Sequence, residues 1–233
     1  MSQLASRYQQ VLARIASACL ASGRNVADVE LVAITKNHPA ELVAELVDLG
    51  HQVFGENRDQ EAGPKSQRLA ELRPDFQATW HFVGQLQSNK VKSVLRYANV
   101  IHSIDRASLV SELAKQLPRF EGKYSGFIEL NLTSDAGRGG VLPENLLALA
   151  ESVLSLENFD LLGVMAVAGL GEDPRSEFEK VLTASHKLQK LAPGAKLLSI
   201  GMSEDFETAI SMGATHIRAV SYTHLRAHET EAD

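Results

Sequence analysis

Cys19 is the only cysteine in 233 residues. An internal disulfide is therefore impossible, a thiolate zinc cluster is excluded, and the residue usage suits a reducing cytoplasm. A basic surplus is missing too. The 23 Lys and Arg stand against 29 Asp and Glu, a formal charge of −6, which gives no general electrostatic reason to bind nucleic acid or an anionic membrane. No apolar run approaches the roughly 20 residues of a membrane span, and the N-terminus reads as an amphipathic helix rather than a signal peptide. Glycine-rich linkers, low-complexity tracts and internal repeats are absent as well. What these absences leave is an ordinary globular chain, 44% hydrophobic and 22% charged, able to bury a sizeable core as one domain.

Within that chain the main signal is alternation. Leu4, Tyr8, Val11, Leu12, Ile15 and Cys19 recur at helical spacing and Gly23 follows as a stop, which predicts a long opening helix. The run VELVAIT, residues 29 to 35, is of the type found in parallel strands covered on both faces. Pro39, the stripe Leu42, Val43, Leu46 and Val47, and Gly50 predict a second helix. Further strand candidates lie at 52–57, 80–84, 99–105, 126–132, 161–167, 197–202 and 215–220, mostly separated by amphipathic segments of helix length. Eight such units predict an α/β fold, a single (β/α)8 barrel of the TIM type with an extra N-terminal helix. An open doubly wound sheet with fewer strands is the competing topology. The barrel domain is expected over residues 1–218. The remaining AVSYTHLRAHETEAD, residues 219 to 233, shows no apolar period and no closing helix, so an atypical tail is expected, with no segment left to cover the eighth strand.

A barrel builds its site at the C-terminal ends of its strands. The residues there include Lys36, Asn57, His81, Ser103, Asn131, Met165, the stretch GMSED (201–205) and Arg218. Lys36 ends an apolar strand. A cation there is either a rim residue with its head in water or an amine nucleophile able to form a Schiff base with an aldehyde. Asn57, Ser103 and Asn131 either cap turns or together ring a small ligand. His81 and His102 have no ligand-like cluster near them, so hydrogen-bonded structural histidines are expected and no metal site. Ser203 reads as the N-cap of a helix with Glu204 and Asp205 in its first turn, its hydroxyl still able to reach an anion at the neighbouring loop. Arg218 is permanently charged: beside a pyridine nitrogen it would keep that nitrogen unprotonated, and otherwise it pairs with a carboxylate.

Taken in order and spacing, VAITKNHPA, FGENRDQEA, WHFVGQLQSNK, IHSIDR, GVMAV and LSIGMSEDFETAISMGATHIR resemble the pyridoxal phosphate homeostasis protein family, whose members are similar to the N-terminal barrel of alanine racemase. The resemblance runs from near the N-terminus to Arg218. It implies a fold-type III barrel that binds pyridoxal 5′-phosphate and stores, buffers or delivers it to apo-enzymes. It also implies a cytoplasmic monomer with no robust catalysis and no catalytic residue of its own. By the same resemblance Lys36 holds the cofactor as a covalent internal aldimine, Arg218 meets the pyridine nitrogen, Ser203 contacts the phosphate, and Asn57 belongs to the pocket wall. The alternative is an amino-acid racemase of the alanine racemase type with Lys36 as one base. That reaction needs a second base on the opposite face, which alanine racemase takes from an additional C-terminal domain. Tyr8, Tyr97, Tyr124 and Tyr222 fall instead in expected helix, loop or tail.

The sequence departs from the family where the phosphate is gripped. Family members follow the arginine with a loop of the type Ile-Gly-Thr, whereas Ala219, Val220 and Ser221 follow it here. Glycine lets backbone N–H groups approach a phosphate closely. Val220 in its place is expected to crowd that approach, and Ser221 to keep one hydroxyl contact. The last fifteen residues are accordingly read as a frame or assembly artefact fused after Arg218. A chain given a family-type ending there is expected to bind pyridoxal phosphate more tightly when titrated by visible absorption; equal affinity, or an uninterrupted native reading frame in the source DNA, rejects this reading of the tail.

Overall fold

The computed structural model describes residues 2–133, 139–169 and 171–219. Its centre is a ring of eight parallel strands: β1 (Glu30–Ile34), β2 (Val53–Glu56), β3 (Thr79–Phe82), β4 (Val100–Ile104), β5 (Tyr124–Glu129), β6 (Phe159–Met165), β7 (Leu197–Ser199) and β8 (His216–Ala219). Every expected strand forms. β1 pairs with β2 on one side and β8 on the other, with Val32 opposite Arg218 and Ala33 opposite Ala219. Every one of the eight strands is paired on both sides around the ring, and an open sheet always leaves two edge strands, which excludes the doubly wound alternative. Around the ring lie α1 (Gln3–Ala21), α2 (Ala40–Asp48), α3 (Asp59–Leu72), α4 (Val91–Val94), α5 (Ala107–Gln116), α6 (Leu146–Leu154), α7 (Pro174–Leu191) and α8 (Phe206–Ser211).

Local chemistry sets the helix ends. Ser2 caps α1 by accepting a hydrogen bond from the Ala5 N–H at 3.1 Å, and Gly23 follows in the left-handed region at φ 63°. Ala5, Tyr8, Val11, Ile15 and Cys19 form the buried stripe of α1. This helix packs against α8, where Arg14 donates to Glu207 Oε1 at 2.7 Å and lies over the Phe206 ring at 4.4 Å. Arg24 Nη1 also donates to the carbonyls of Ile210 and Ala214. The eighth strand is therefore not left bare, contrary to expectation. β8 is contacted by α8, which α1 backs in turn, and Ile217 and Ala219 are fully buried. Residues 220–233, which hold Ser221 and nearly all of the expected tail, lie outside the described residues; β8 itself runs one residue past the expected boundary.

Strand alternation sorts the side chains. Leu31 and Ala33 join the layer between ring and helices, whereas Ile34 and Lys36 face the barrel mouth. Phe54 and Glu56 of β2 also face outward, toward α3. There Lys65 lies on the buried stripe with Ala62 and Leu69. Its Nζ donates to Glu56 Oε1 at 2.5 Å and to the Thr35 carbonyl at 2.7 Å, and Thr35 Oγ1 donates to the same carboxylate oxygen at 2.6 Å. Glu56 and Thr35 are fully buried, so this pair fastens the end of β1 immediately before Lys36. Removing one partner of a buried pair strands the other charge at a cost of roughly 3–5 kcal/mol. Lys65→Met is expected to lose about that much in urea unfolding, with Glu56→Gln added to it recovering at least half; a single variant as stable as the parent would show that the pair does not matter.

Candidate functional site at the barrel mouth

β1 ends in a tight reversal. Thr35 N–H still pairs with the Gly55 carbonyl, His38 N–H returns to the Thr35 carbonyl at 3.1 Å, and Asn37 adopts φ 63°. Asparagine tolerates that left-handed conformation better than most residues. The Asn37 N–H donates to Glu61 Oε2 at 3.1 Å, and Pro39 then starts α2. The chain leaves the sheet just after Lys36, whose half-buried side chain stays at the mouth.

The mouth holds a cleft of about 140 Å³. Ile34, Val83, Met165, Val167 and Met202 form its apolar walls, and Lys36, Asn57, Glu129 and Arg218 bring polar groups to it. Asn57 Oδ1 is buried with no hydrogen-bond partner among the described residues. Gly84 presses against this residue: a Cβ there would lie 2.1 Å from the Asn57 carbonyl oxygen, so only glycine allows that approach. A larger groove of about 490 Å³, lined by Arg58, Glu61, Gln85 and Lys90 among others, shares Asn57 with the cleft.

Arg218 reaches the cleft from β8. Its Nη1 donates to the Ser199 carbonyl at 2.7 Å and to Ser199 Oγ at 2.5 Å, and its Nη2 donates to the Ala166 carbonyl at 2.8 Å. Those bonds use three of the five guanidinium donors. Burial pushes its pKa down to about 10, opposed by the charges of Glu129 and Asp205, so the group remains a cation at neutral pH. Behind it His102 Nδ1 lies 2.8 Å from Ser199 Oγ, and His102 Nε2 lies 2.9 Å from His81 Nδ1. Burial holds both imidazoles neutral, His81 pushed down to about 3 and His102 well below the ordinary value.

The structure thus brings Lys36, Asn57 and Arg218 together in one cleft. Ser203 is not among the cleft-lining residues, although Met202 is. It lies in the turn before α8, where its carbonyl accepts from Arg14 Nη2 at 3.2 Å. Nor is it the N-cap: α8 starts at Phe206, the cap position is Asp205, and the Asp205 carboxylate folds back to accept from the Met202 N–H at 2.5 Å. A helix of six residues begins too late for Ser203 to cap it. Asn131 Oδ1 accepts from Thr133 N–H and Oγ1, which is the turn-capping role. Ser103 Oγ is buried with no partner among the described residues and lies apart from the cleft lining. No group of three or more His, Cys, Asp or Glu among the described residues forms a metal-binding cluster. Sequence reasoning missed the Ser199 clamp on Arg218 and the Glu56–Lys65 pair. The one legible sign of the pair was a lysine on the apolar stripe of α3.

A closed parallel barrel with a lysine at the end of its first strand and a buried arginine on its eighth defines a protein of the alanine racemase N-terminal domain type, and that family's profile matches residues 12–221. More narrowly, the chain belongs to the pyridoxal phosphate homeostasis protein family. It is 37% identical over 218 residues to the member from Pseudomonas aeruginosa, covering 94% of this chain and 93% of that protein. It is 38% identical over 216 residues to the member from Aquifex aeolicus, covering 91% and 93%. Among solved structures, PipY of Synechococcus elongatus with pyridoxal phosphate bound superposes with a TM-score of 0.78 at 34% identity, over 91% of this chain and 98% of that one. The alanine racemase of Corynebacterium glutamicum shares the fold, with a TM-score of 0.64 at 13% identity over 92% of this chain and 61% of the racemase.

The neutral histidines tie stability to pH. His81 titrates at about 3 when folded against an ordinary value of 6.5, so between these the unfolded chain binds more protons. The stability this contributes is complete above about pH 6.5 and is lost as pH falls toward about 3. Lowering pH from about 7 to about 5 is expected to cost about 2 kcal/mol from His81 alone, read as a fall in the urea midpoint. A midpoint that does not move over that interval contradicts a buried neutral imidazole.

Proposed function

We propose that this protein binds pyridoxal 5′-phosphate at the barrel mouth and stores, buffers or delivers it, without robust catalysis of its own. The observation that carries this reading is the meeting of Lys36 and Arg218 in one apolar-walled cleft. A relative carrying the same cofactor and curated relatives named for pyridoxal phosphate homeostasis support it. When bound, the cofactor supplies an aldehyde and an electron-withdrawing ring.

Lys36 is the amine that attaches covalently to that aldehyde. Arg218 faces the ring nitrogen with a donor that does not surrender its proton in ordinary chemistry. Asn57 offers its unsatisfied Oδ1 to a donor on the ligand. Ser203 and Ser221 serve the phosphate. Gly201, at φ 94°, opens the turn that leads to Ser203 and leaves no room for a side chain, since a Cβ there would lie 2.6 Å from the Ala209 Cβ.

One consequence of the proposed Arg218 contact and one observation favour binding over racemisation. A ring nitrogen facing that fixed cation would not be protonated, which weakens the ring as an electron sink. Tyr8, Tyr97 and Tyr124 direct their hydroxyls at His51, Asp59 and the Leu95 carbonyl, and none of the three lines the cleft. The recipients are apo-enzymes that use the cofactor, and the protein acts as a monomer. Its single, fully buried cysteine suits a cytoplasmic setting, and no helix among the described residues is long and apolar enough to cross a membrane.

Titration with pyridoxal phosphate is expected to raise a visible absorption band that borohydride fixes at Lys36 in the peptide map. Lys36→Ala should abolish the band, and the loaded parent should not interconvert D- and L-alanine above background. A band retained in Lys36→Ala, or steady turnover of alanine, sinks the proposal.

A further inference from the structure

A line of polar side chains threads the barrel interior, and the binding role proposed above does not use it. Ser199 Oγ contacts Arg218 Nη1, His102 Nδ1 contacts Ser199 Oγ, and His102 Nε2 contacts His81 Nδ1, all within 2.9 Å. His81 Nε2 then lies 3.9 Å from Glu30 Oε1, and His216 Nε2 lies 3.2 Å from the same oxygen. Glu30 opens β1, so the line runs from the mouth to the opposite rim.

Counting donors and acceptors assigns each proton. A guanidinium has donors only, so Ser199 Oγ accepts from Arg218. The serine hydroxyl proton has one acceptor among these contacts, His102 Nδ1, if that nitrogen is bare; the reverse order would leave the hydroxyl proton with no acceptor among the described residues. A neutral imidazole carries its one proton on the other nitrogen, so His102 Nε2–H donates to His81 Nδ1. By the same rule His81 keeps its proton on Nε2, turned toward the Glu30 carboxylate. Burial keeps both rings neutral, and His216 and Glu30 are the titratable neighbours at the far end. The three hydrogen bonds therefore point the same way, from the cation at the mouth to His81, whose remaining N–H faces the Glu30 carboxylate 3.9 Å away.

We infer that Ser199, His102 and His81 are positioning residues for Arg218, forming a one-directional hydrogen-bond relay that fixes the plane of its guanidinium at the mouth. Ser199 holds Nη1 through two oxygens and the Ala166 carbonyl holds Nη2; two fixed terminal nitrogens define the orientation of a planar group. The relay gives the Ser199 hydroxyl proton an acceptor in His102 Nδ1 while the same oxygen accepts from the arginine. The positioning role rests on the reading of Arg218 as the partner of the ring nitrogen, whereas the proton order does not.

Long-range ¹H–¹⁵N spectra of the labelled full chain, recorded without cofactor at neutral pH, test the order directly and need no variant. Both His102 and His81 should carry their proton on Nε2 with Nδ1 bare. A proton on either Nδ1, or a charged ring, overturns the relay. In Ser199→Ala the His102 tautomer should become mixed, the visible band of the pyridoxal phosphate-loaded chain should shift, and affinity should fall roughly tenfold. Borohydride should still fix the cofactor at Lys36, and Ser199→Thr should restore the band. Parent-like band and affinity in Ser199→Ala overturn the positioning role. If the parent itself forms no band at Lys36, the binding proposal fails and takes the positioning role with it, while the cofactor-free spectra still decide the relay.

Discussion

The pairing of β1 with β8 is the contact on which the site depends. Val32 lies opposite Arg218 and Ala33 opposite Ala219, so residues from the two ends of the described chain become neighbours in one ring. Lys36 leaves the end of the first strand and Arg218 projects from the last, and closure alone brings an amine and a guanidinium to the same small cleft. No local element could do this, because neither helix nor hairpin spans such a separation. A TIM barrel builds its sites in this way, from the ends of several strands.

The support behind each cation differs. Lys36 is held from outside the ring, through a buried lysine on α3 that grips both the Thr35 carbonyl and the Glu56 carboxylate. Arg218 is held from inside it, by Ser199 and Ala166. Barrel interiors are usually filled by branched apolar side chains. Here Val100, Phe127 and Met165 supply only a small apolar cluster, and His81, His102 and Ser199 occupy the space beside it. A polar interior is tolerable when its groups find partners, and each of these three side chains has at least one inside the ring.

The strands were legible because each is a short apolar run closed by a turn residue, and eight of them with intervening helices leave few alternatives to a barrel. Lys36 and Arg218 were legible as cations interrupting such runs. Ser199 was not, since a serine between leucine and isoleucine carries no sign of what lies across the barrel. The clamp exists only through contact of β7 with β8. Ser203 misled for a related reason: its cap signature is genuine, but the chain uses Asp205 to close a tighter turn on the Met202 N–H. The packing beside β8 was hidden too, because α1, which backs α8 there, stands at the start of the sequence and reads as an extra.

The contact of the N-terminal segment with α8, through Arg14 of α1 and Arg24 just after it, has a consequence for how the chain folds as it is made. The α8-facing side of α1 and the free edge of β1 find their partners only in segments made about 186 residues later. Long-range pairing of this kind is slow, and an unpaired parallel strand is open to association while it waits. Tyr8 on the stripe of α1 meets His51 early, but the part of α1 that rests on α8 stays uncovered for the same interval. The order of synthesis therefore places the period of greatest aggregation risk before the barrel closes, and puts the N-terminal third of the chain at the centre of it.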